Sequence, residues 1–307
     1  MKSTRTITLS IVAPLLLGCS GAIAATIETF PVGQGPTQFA FDGANIWVTN
    51  SQEDTVTKLR ASDGTLQGTF LTGDLPQYAA FDGVNIWISN TSADSITRLR
   101  ASDGTLVDTL NSIDSPEGIV FEGASMWVAN FFNGSVTKLR ASDGTVEGVF
   151  PTGVAPFGVT FDGVNIWVAN TNTIPTGTIT KLLASDGTNL GTFPTGRIPV
   201  ALVAAGARIW VANQLGGSVN VFRAGNGSQL GTFKVGIEPS GIAFDGASIW
   251  VTNFSDGTVQ KLSARDGKTE RIFTLGYGVL GVIFDGNSIW VANNQDNTVS
   301  KITRSAP

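Results

Sequence analysis

One ten-residue stretch returns throughout the chain and limits what it can fold into. Phe41 to Asn50 reads FDGANIWVTN, and its tryptophan, with an asparagine three residues later, recurs in every copy. The copies are centred on Trp47, Trp87, Trp127, Trp167, Trp210, Trp250 and Trp290, spaced by 40 residues except for one interval of 43. A period of about 40 residues with Gly-rich turns and β-branched residues is typical of four-stranded propeller blades. The sequence therefore predicts an all-β, seven-bladed β-propeller with four antiparallel strands per blade.

The second repeat shows how four strands fit into one period. We predict strand a at residues 76–81, strand b at 86–90, strand c at 95–100 and strand d at 105–110. Asp82-Gly83 separates a from b, and Asp103-Gly104 separates c from d. Asp-Gly supplies the positive φ that tight hairpins require.

The two ends of the chain predict how the ring closes. Residues 29–33 read TFPVG and match TFPTG at 192–196, which falls on a strand d. The C-terminal end stops after residues 298–302, which fall on a strand c. We therefore expect the N-terminal strand to complete the last blade, which removes two open sheet edges.

Residues 1–24 stand apart from the repeats. Lys2 and Arg5 precede an apolar run and then small residues that end at Ala24. This pattern predicts a secretory signal peptide too short to span a membrane, with a single propeller domain at 25–307. We expect a periplasmic or secreted protein. Residues 16–19, LLGC, also resemble a lipobox, so lipidation at Cys19 is the alternative, and mass spectrometry of the mature N-terminus distinguishes the two.

Charge and composition exclude several classes of function. Cleavage after Ala24 would take the formal net charge from −5 to −7, which opposes binding to nucleic acid. The chain has no histidine, and Cys19 is its one cysteine, so Ser-His-Asp, thiol and zinc sites are excluded. No metal-loop or nucleotide-binding spacing occurs, which leaves oxygen ligands for Ca²⁺ or Mg²⁺ as the alternative to having no cofactor. We expect a monomer with no transmembrane span.

The repeated tryptophan and asparagine have structural and functional interpretations. Seven equivalent tryptophans could form a ligand-stacking ring, but packing between blades requires the same residue in every copy, and we predict packing. We expect the asparagine to hydrogen-bond backbone at the end of strand b.

The motifs WVTN at 47–50 and 250–253 and WVAN at 127–130, 167–170, 210–213 and 290–293 resemble the YVTN motif of YVTN-type β-propeller repeat proteins. The resemblance covers about residues 26–304, with tryptophan in place of the family's tyrosine. It implies a propeller and leaves function open, since that family includes secreted and surface proteins. The repeat style is also similar to streptogramin B lyase, which would imply a lyase with a catalytic histidine and glutamates around magnesium. The absence of histidine argues against that activity.

Comparison of the seven copies locates the surface that differs between blades. The a–b and c–d turns are nearly constant, whereas the d–a and b–c loops vary, as expected where each loop meets a different part of a partner. The candidate ligand-binding residues on that face are Tyr78, Glu117, Phe131, Phe132, Phe157, Arg197, Glu238, Phe254 and Tyr277. Unconstrained loops would also vary, and some of these phenylalanines could simply fill the channel.

Three hypotheses follow from this pattern. The first is a secreted or envelope-associated binding module that recognises a protein, peptide or carbohydrate through the d–a/b–c face. The second is a divalent-metal-dependent, lactonase-like hydrolase or lyase in which Glu117, Glu238, Asp74 and Asp114 converge on one ion. The third is a structural protein of the cell envelope.

Overall fold

A computed structural model describes residues 25–171 and 175–304, which form seven four-stranded antiparallel sheets. The one helical element in these ranges is a 3-10 turn, Gln214–Gly216, and no helix among them is long and apolar enough to cross a membrane. Residues 1–24, with the predicted signal peptide and Cys19, lie outside the described part.

The strands are grouped here by blade, with bounds in chain order. Blade 1 contains β2 (Pro36–Phe41), β3 (Asn45–Asn50), β4 (Thr55–Arg60) and β5 (Leu66–Leu71). Blade 2 contains β6 (Pro76–Phe81), β7 (Asn85–Asn90), β8 (Ser95–Arg100) and β9 (Leu106–Asn111). Blade 3 contains β10 (Pro116–Phe121), β11 (Ser125–Asn130), β12 (Ser135–Arg140) and β13 (Val146–Pro151). Blade 4 contains β14 (Pro156–Phe161), β15 (Asn165–Asn170), β16 (Thr178–Leu183) and β17 (Asn189–Pro194). Blade 5 contains β18 (Pro199–Ala205), β19 (Arg208–Asn213), β20 (Ser218–Arg223) and β21 (Gln229–Lys234). Blade 6 contains β22 (Pro239–Phe244), β23 (Ser248–Asn253), β24 (Thr258–Ser263) and β25 (Thr269–Thr274). Blade 7 contains β26 (Val279–Phe284), β27 (Ser288–Asn293), β28 (Thr298–Arg304) and β1 (Ala25–Pro31).

The predicted seven-bladed architecture and its closure are confirmed. Strand β1 pairs antiparallel with β28, so that Thr29 lies opposite Ser300, and the first strand of the chain is the outer strand of the last blade. In the second repeat, strands a and c have the predicted bounds, whereas b begins one residue earlier and d is shifted by one residue.

The tryptophans are core residues, as predicted. All seven are between 0 and 3% exposed. In five blades the indole N–H donates to the aspartate of the a–b turn, as from Trp167 to Asp162 at 2.8 Å. Blade 3 has Glu122 at that turn position and blade 5 has Ala205. The indole nitrogens of Trp127 and Trp210 have no acceptor among the described residues. In these five blades the aspartate of the a–b turn therefore accepts a hydrogen bond from the buried tryptophan as well as shaping the turn.

The repeated asparagine bonds mainly side-chain hydroxyls, and the predicted backbone bonds occur in two copies, Asn170 and Asn213. Asn50 donates to the hydroxyls of Thr55 and Thr57 on β4, at 3.0 and 2.9 Å, rather than mainly to backbone. All six other copies likewise donate to a hydroxyl on the neighbouring strand c. The asparagine therefore joins strands b and c near the varying loops.

A basic side chain on strand c joins consecutive blades. Lys181 Nζ donates to the carbonyls of Ala224 and Gly225 in the c–d turn of the next blade, at 2.8 and 2.9 Å. Blade 5 has Val221 at that position, and Arg208 on the adjacent strand instead donates to the carbonyls of residues 264 and 265. Blade 5 is therefore also hydrogen-bonded to the c–d turn of the next blade, through a basic residue on strand b instead of strand c.

Candidate functional site

The d–a and b–c loops are joined in every blade by the same backbone hydrogen bond. The residue after each repeated asparagine donates its N–H to the residue that precedes strand a, as from Thr171 to Ala155 at 2.9 Å. We call these seven donors the rim; they are Ser51, Thr91, Phe131, Thr171, Gln214, Phe254 and Asn294. The predicted grouping of the two loop sets on one face follows directly from these bonds.

The acceptor residues of this face have a strained backbone. All seven have positive φ, and five of them are not glycine: Leu75, Ser115, Ala155, Ile198 and Glu238, with φ between 42 and 57°. The left-handed region costs an ordinary residue about 1–2 kcal/mol, and such strain often occurs at functional sites. The rim hydrogen bonds hold the loops in this conformation.

A cavity of about 210 Å³ opens on this face at the channel. Its walls come mainly from the second residues of the seven strands a. We call these seven residues the inner ring; they are Thr37, Gln77, Glu117, Phe157, Val200, Ser240 and Leu280. Every inner-ring residue except Glu117 lines the cavity, as do the rim residues Phe131, Thr171 and Gln214. The cavity is therefore built from several blades and differs on each side.

Glycines bring the innermost strands together on part of the ring. A Cβ on Gly118, Gly158, Gly241 or Gly281 would come within 3.0 Å of the backbone of the next blade. The same position holds Gln38, Tyr78 and Ala201 in the other three blades. The strands are thus closely spaced where glycine occurs, and Gln38 and Tyr78 place larger side chains in the cavity wall.

Four of the predicted aromatic residues form one cluster. The rings of Tyr78 and Phe157 have centroids 5.8 Å apart, and those of Phe131 and Phe157 are 6.3 Å apart, both nearly perpendicular. Phe132 packs against Phe131 at 5.3 Å and is 78% exposed. The cluster extends from the cavity wall to the exposed surface.

Glu117 is the one inner-ring residue with an ionisable side chain. It is 6% exposed, and its Oε2 has no hydrogen-bond partner among the described residues. Burial raises the pKa of Glu117 to about 8, against a smaller opposing effect of the Thr91 side chain. Burial, and then the charge of Glu117, raise the pKa of Tyr78.

The remaining candidates lie apart from this cavity. Phe254 packs against Tyr277 with centroids 5.3 Å apart, and Tyr277 is 58% exposed. Glu238 accepts a hydrogen bond from Ser255 and lines an open groove of about 790 Å³ between blades 5 and 6. Arg197 is exposed on its loop. Glu238 lines this groove and is not among the residues that line the cavity.

The carboxylates of the metal hypothesis do not converge. In residues 25–171 and 175–304 no three Asp or Glu side chains are close enough to share a metal ion. Asp74, Asp114 and Glu238 come from three different d–a loops, and Glu117 is buried on strand β10. The ligand set expected from the sequence is therefore not assembled.

Several cavity residues were missed by the sequence analysis, chiefly Gln38, Gln77, Ser240 and Leu280. A signal for them was present. The two residues after the start of strand a read TQ, QY, EG, FG, VA, SG and LG in successive copies, whereas the end of that strand is nearly constant. The variation between copies at the start of strand a, and not only in the loops, therefore indicated which residues line the channel.

The comparisons with known proteins agree on the fold. No protein-family profile matches the chain, and no curated protein sequence matches it. Among solved structures, the chain is similar to hydrazine synthase of Kuenenia stuttgartiensis, with a TM-score of 0.79, 16% identity and coverage of 89% of this chain and 96% of that one. It is also similar to a streptogramin B lyase structure, with a TM-score of 0.79, 18% identity and coverage of 92% and 98%. At these identities the likeness shows the β-propeller fold alone.

Proposed function

We propose that this chain is a secreted or envelope-associated binding propeller of the YVTN-repeat type that takes its ligand at the rim face. The observation that carries the proposal is the cavity of about 210 Å³ whose wall is continuous with the exposed aromatic cluster. Aromatic side chains that are partly buried and partly exposed are typical of the centres of binding sites. The ligand is a protein, peptide or carbohydrate.

The dimensions of the site indicate how such a ligand would be held. The cavity is smaller than the roughly 300–1,000 Å³ of pockets that enclose a drug-sized molecule. It suits one side chain or terminal group of a larger ligand. Phe132 and the Phe254–Tyr277 pair would contact the rest of the ligand on the surrounding surface. An acidic chain favours ligands that are not strongly anionic.

Binding to peptide and glycan arrays, followed by titration calorimetry of each hit, tests the proposal. Phe132→Ser and Tyr277→Ser should each weaken binding about tenfold or more, because exposed aromatic anchors carry much of the energy of a contact. Val84→Ser is the matched control, since Val84 is 65% exposed on an a–b turn of the opposite face. Equal binding by all three variants would contradict a role for the rim face.

A further inference from the structure

We propose that the cavity at the rim face binds an organic ammonium group, with Tyr78, Phe131 and Phe157 as its aromatic walls and Glu117 as its counter-charge. This inference rests on the proposed function, because it names the chemical group that the binding face accepts.

The aromatic walls suit a cation. The rings of Tyr78, Phe131 and Phe157 all border the cavity, and Phe157 is nearly perpendicular to both of its neighbours. Rings that are not stacked present their faces in different directions, as they do around methylated ammonium groups. The electron-rich faces of the rings attract a cation more strongly than they attract an uncharged group of the same shape.

The charges around the cavity also favour a cationic ligand. None of the twelve described residues that line it is charged, so no basic side chain prepares it for an anion. Glu117 is the one inner-ring residue that does not itself line the cavity; it lies in the blade next to that of Tyr78, and its buried Oε2 has no hydrogen-bond partner among the described residues. A buried carboxylate without a partner is costly, and an ammonium group in the cavity would supply the missing opposite charge.

Protonation of Glu117 gives the proposal a quantitative consequence. The two described influences on its pKa are burial and the Thr91 side chain, and its titratable neighbour Tyr78 is neutral across this range. With a pKa of about 8, Glu117 is about 90% protonated at pH 7. A cation binds in preference to the ionised form of Glu117. Binding at pH 7 should therefore release close to one proton from the Glu117 carboxyl group. The apparent affinity should rise about tenfold from pH 7 to pH 9, in proportion to the ionised fraction.

Choline and its uncharged isostere 3,3-dimethyl-1-butanol are suitable probes, titrated by calorimetry at constant ionic strength in buffers of different ionisation enthalpy. We expect choline to bind at least tenfold more tightly than the isostere and to release a proton at pH 7. Glu117→Gln keeps the shape of the side chain; it should abolish the proton release and weaken choline binding, leaving only the smaller preference that the aromatic walls supply. Phe157→Leu should weaken choline binding about tenfold, while Val84→Ser should leave it unchanged.

The outcomes separate this inference from the proposed function. Equal affinity for the two isosteres, or unchanged choline binding in a folded Glu117→Gln protein, would overturn the ammonium site. If choline fails to bind while array ligands bind and are lost in Phe132→Ser, the binding face stands and only the ammonium assignment fails. If neither kind of ligand binds, both proposals fail.

Discussion

The indole N–H of Trp127 in blade 3 has no hydrogen-bond acceptor among the described residues, whereas that of Trp167 in blade 4 has one. A pair of opposite substitutions in these two blades can therefore test whether this hydrogen bond stabilises a blade. In blade 4, Asp162 accepts from Trp167 Nε1 at 2.8 Å and from the backbone N–H groups of Val164 and Asn165 at 2.9 and 2.7 Å. Trp127 has Glu122 at the corresponding place and finds no acceptor in the described part of the chain. Glu122→Asp should therefore add the missing bonds, and Asp162→Glu should remove them.

The size of the effect follows from these contacts. A buried donor left without a partner costs about 1–3 kcal/mol, and a typical hydrogen bond contributes about 1 kcal/mol net. We expect Glu122→Asp to raise the free energy of unfolding by about 1–2 kcal/mol and Asp162→Glu to lower it by about 1–3 kcal/mol. For a domain of this size, 1 kcal/mol corresponds to a change of roughly 2–4 °C in Tm.

Chemical denaturation followed by tryptophan fluorescence measures both changes, with calorimetry for Tm. Indole N–H signals in ¹⁵N NMR give an independent observation, because the Trp127 signal should shift toward the range of the hydrogen-bonded tryptophans. Changes of the same sign in the two variants, or a loss of stability in Glu122→Asp, would refute the idea that the aspartate bond to tryptophan stabilises the blade.

Four further predictions test other parts of the structure. Glu117 binds a proton in the native state between its ordinary pKa of 4.5 and its raised pKa of about 8, so the wild type should lose stability as pH rises through that window, at about 1.36 kcal/mol per pH unit at most. Glu117→Gln should show a flatter curve of unfolding free energy against pH, and parallel curves would contradict the burial of that carboxyl. Deleting residues 26–33 removes most of β1 and exposes the edge of β28, so Tm in scanning fluorimetry should fall far more than after removal of residues 305–307. Lys181→Met removes the bonds to the next blade and should cost about 1–3 kcal/mol in urea unfolding, whereas Lys234→Met, at an exposed site, should change stability by less than about 0.5 kcal/mol. Ala155→Gly relieves a φ of 52° and should stabilise the protein by about 0.5–1 kcal/mol by the same assay, and a loss of stability would show that the loop is not strained there.

The repeat predicted the fold because a periodic sequence determines local structure in every copy at once. Seven tryptophans at nearly equal spacing indicated seven blades, and the match between residues 29–33 and 192–196 indicated how the chain closes. These inferences needed only the rule that each sheet must bury its faces and leave no open edge. The face that carries the varying loops followed from the same strand order.

What the tertiary structure decided lies in the differences between copies. Glu117 is buried although it lies on an inner strand beside the channel, and Glu238 lines a groove between blades 5 and 6. The wall of the cavity depends on how closely adjacent strands approach at Gly118, Gly158 and their equivalents. Residues about 40 positions apart set these distances jointly, and no local pattern in one repeat encodes them. The sequence by itself thus determined the ring of blades, and only the packing of blade against blade determined the shape and charge of the space inside it.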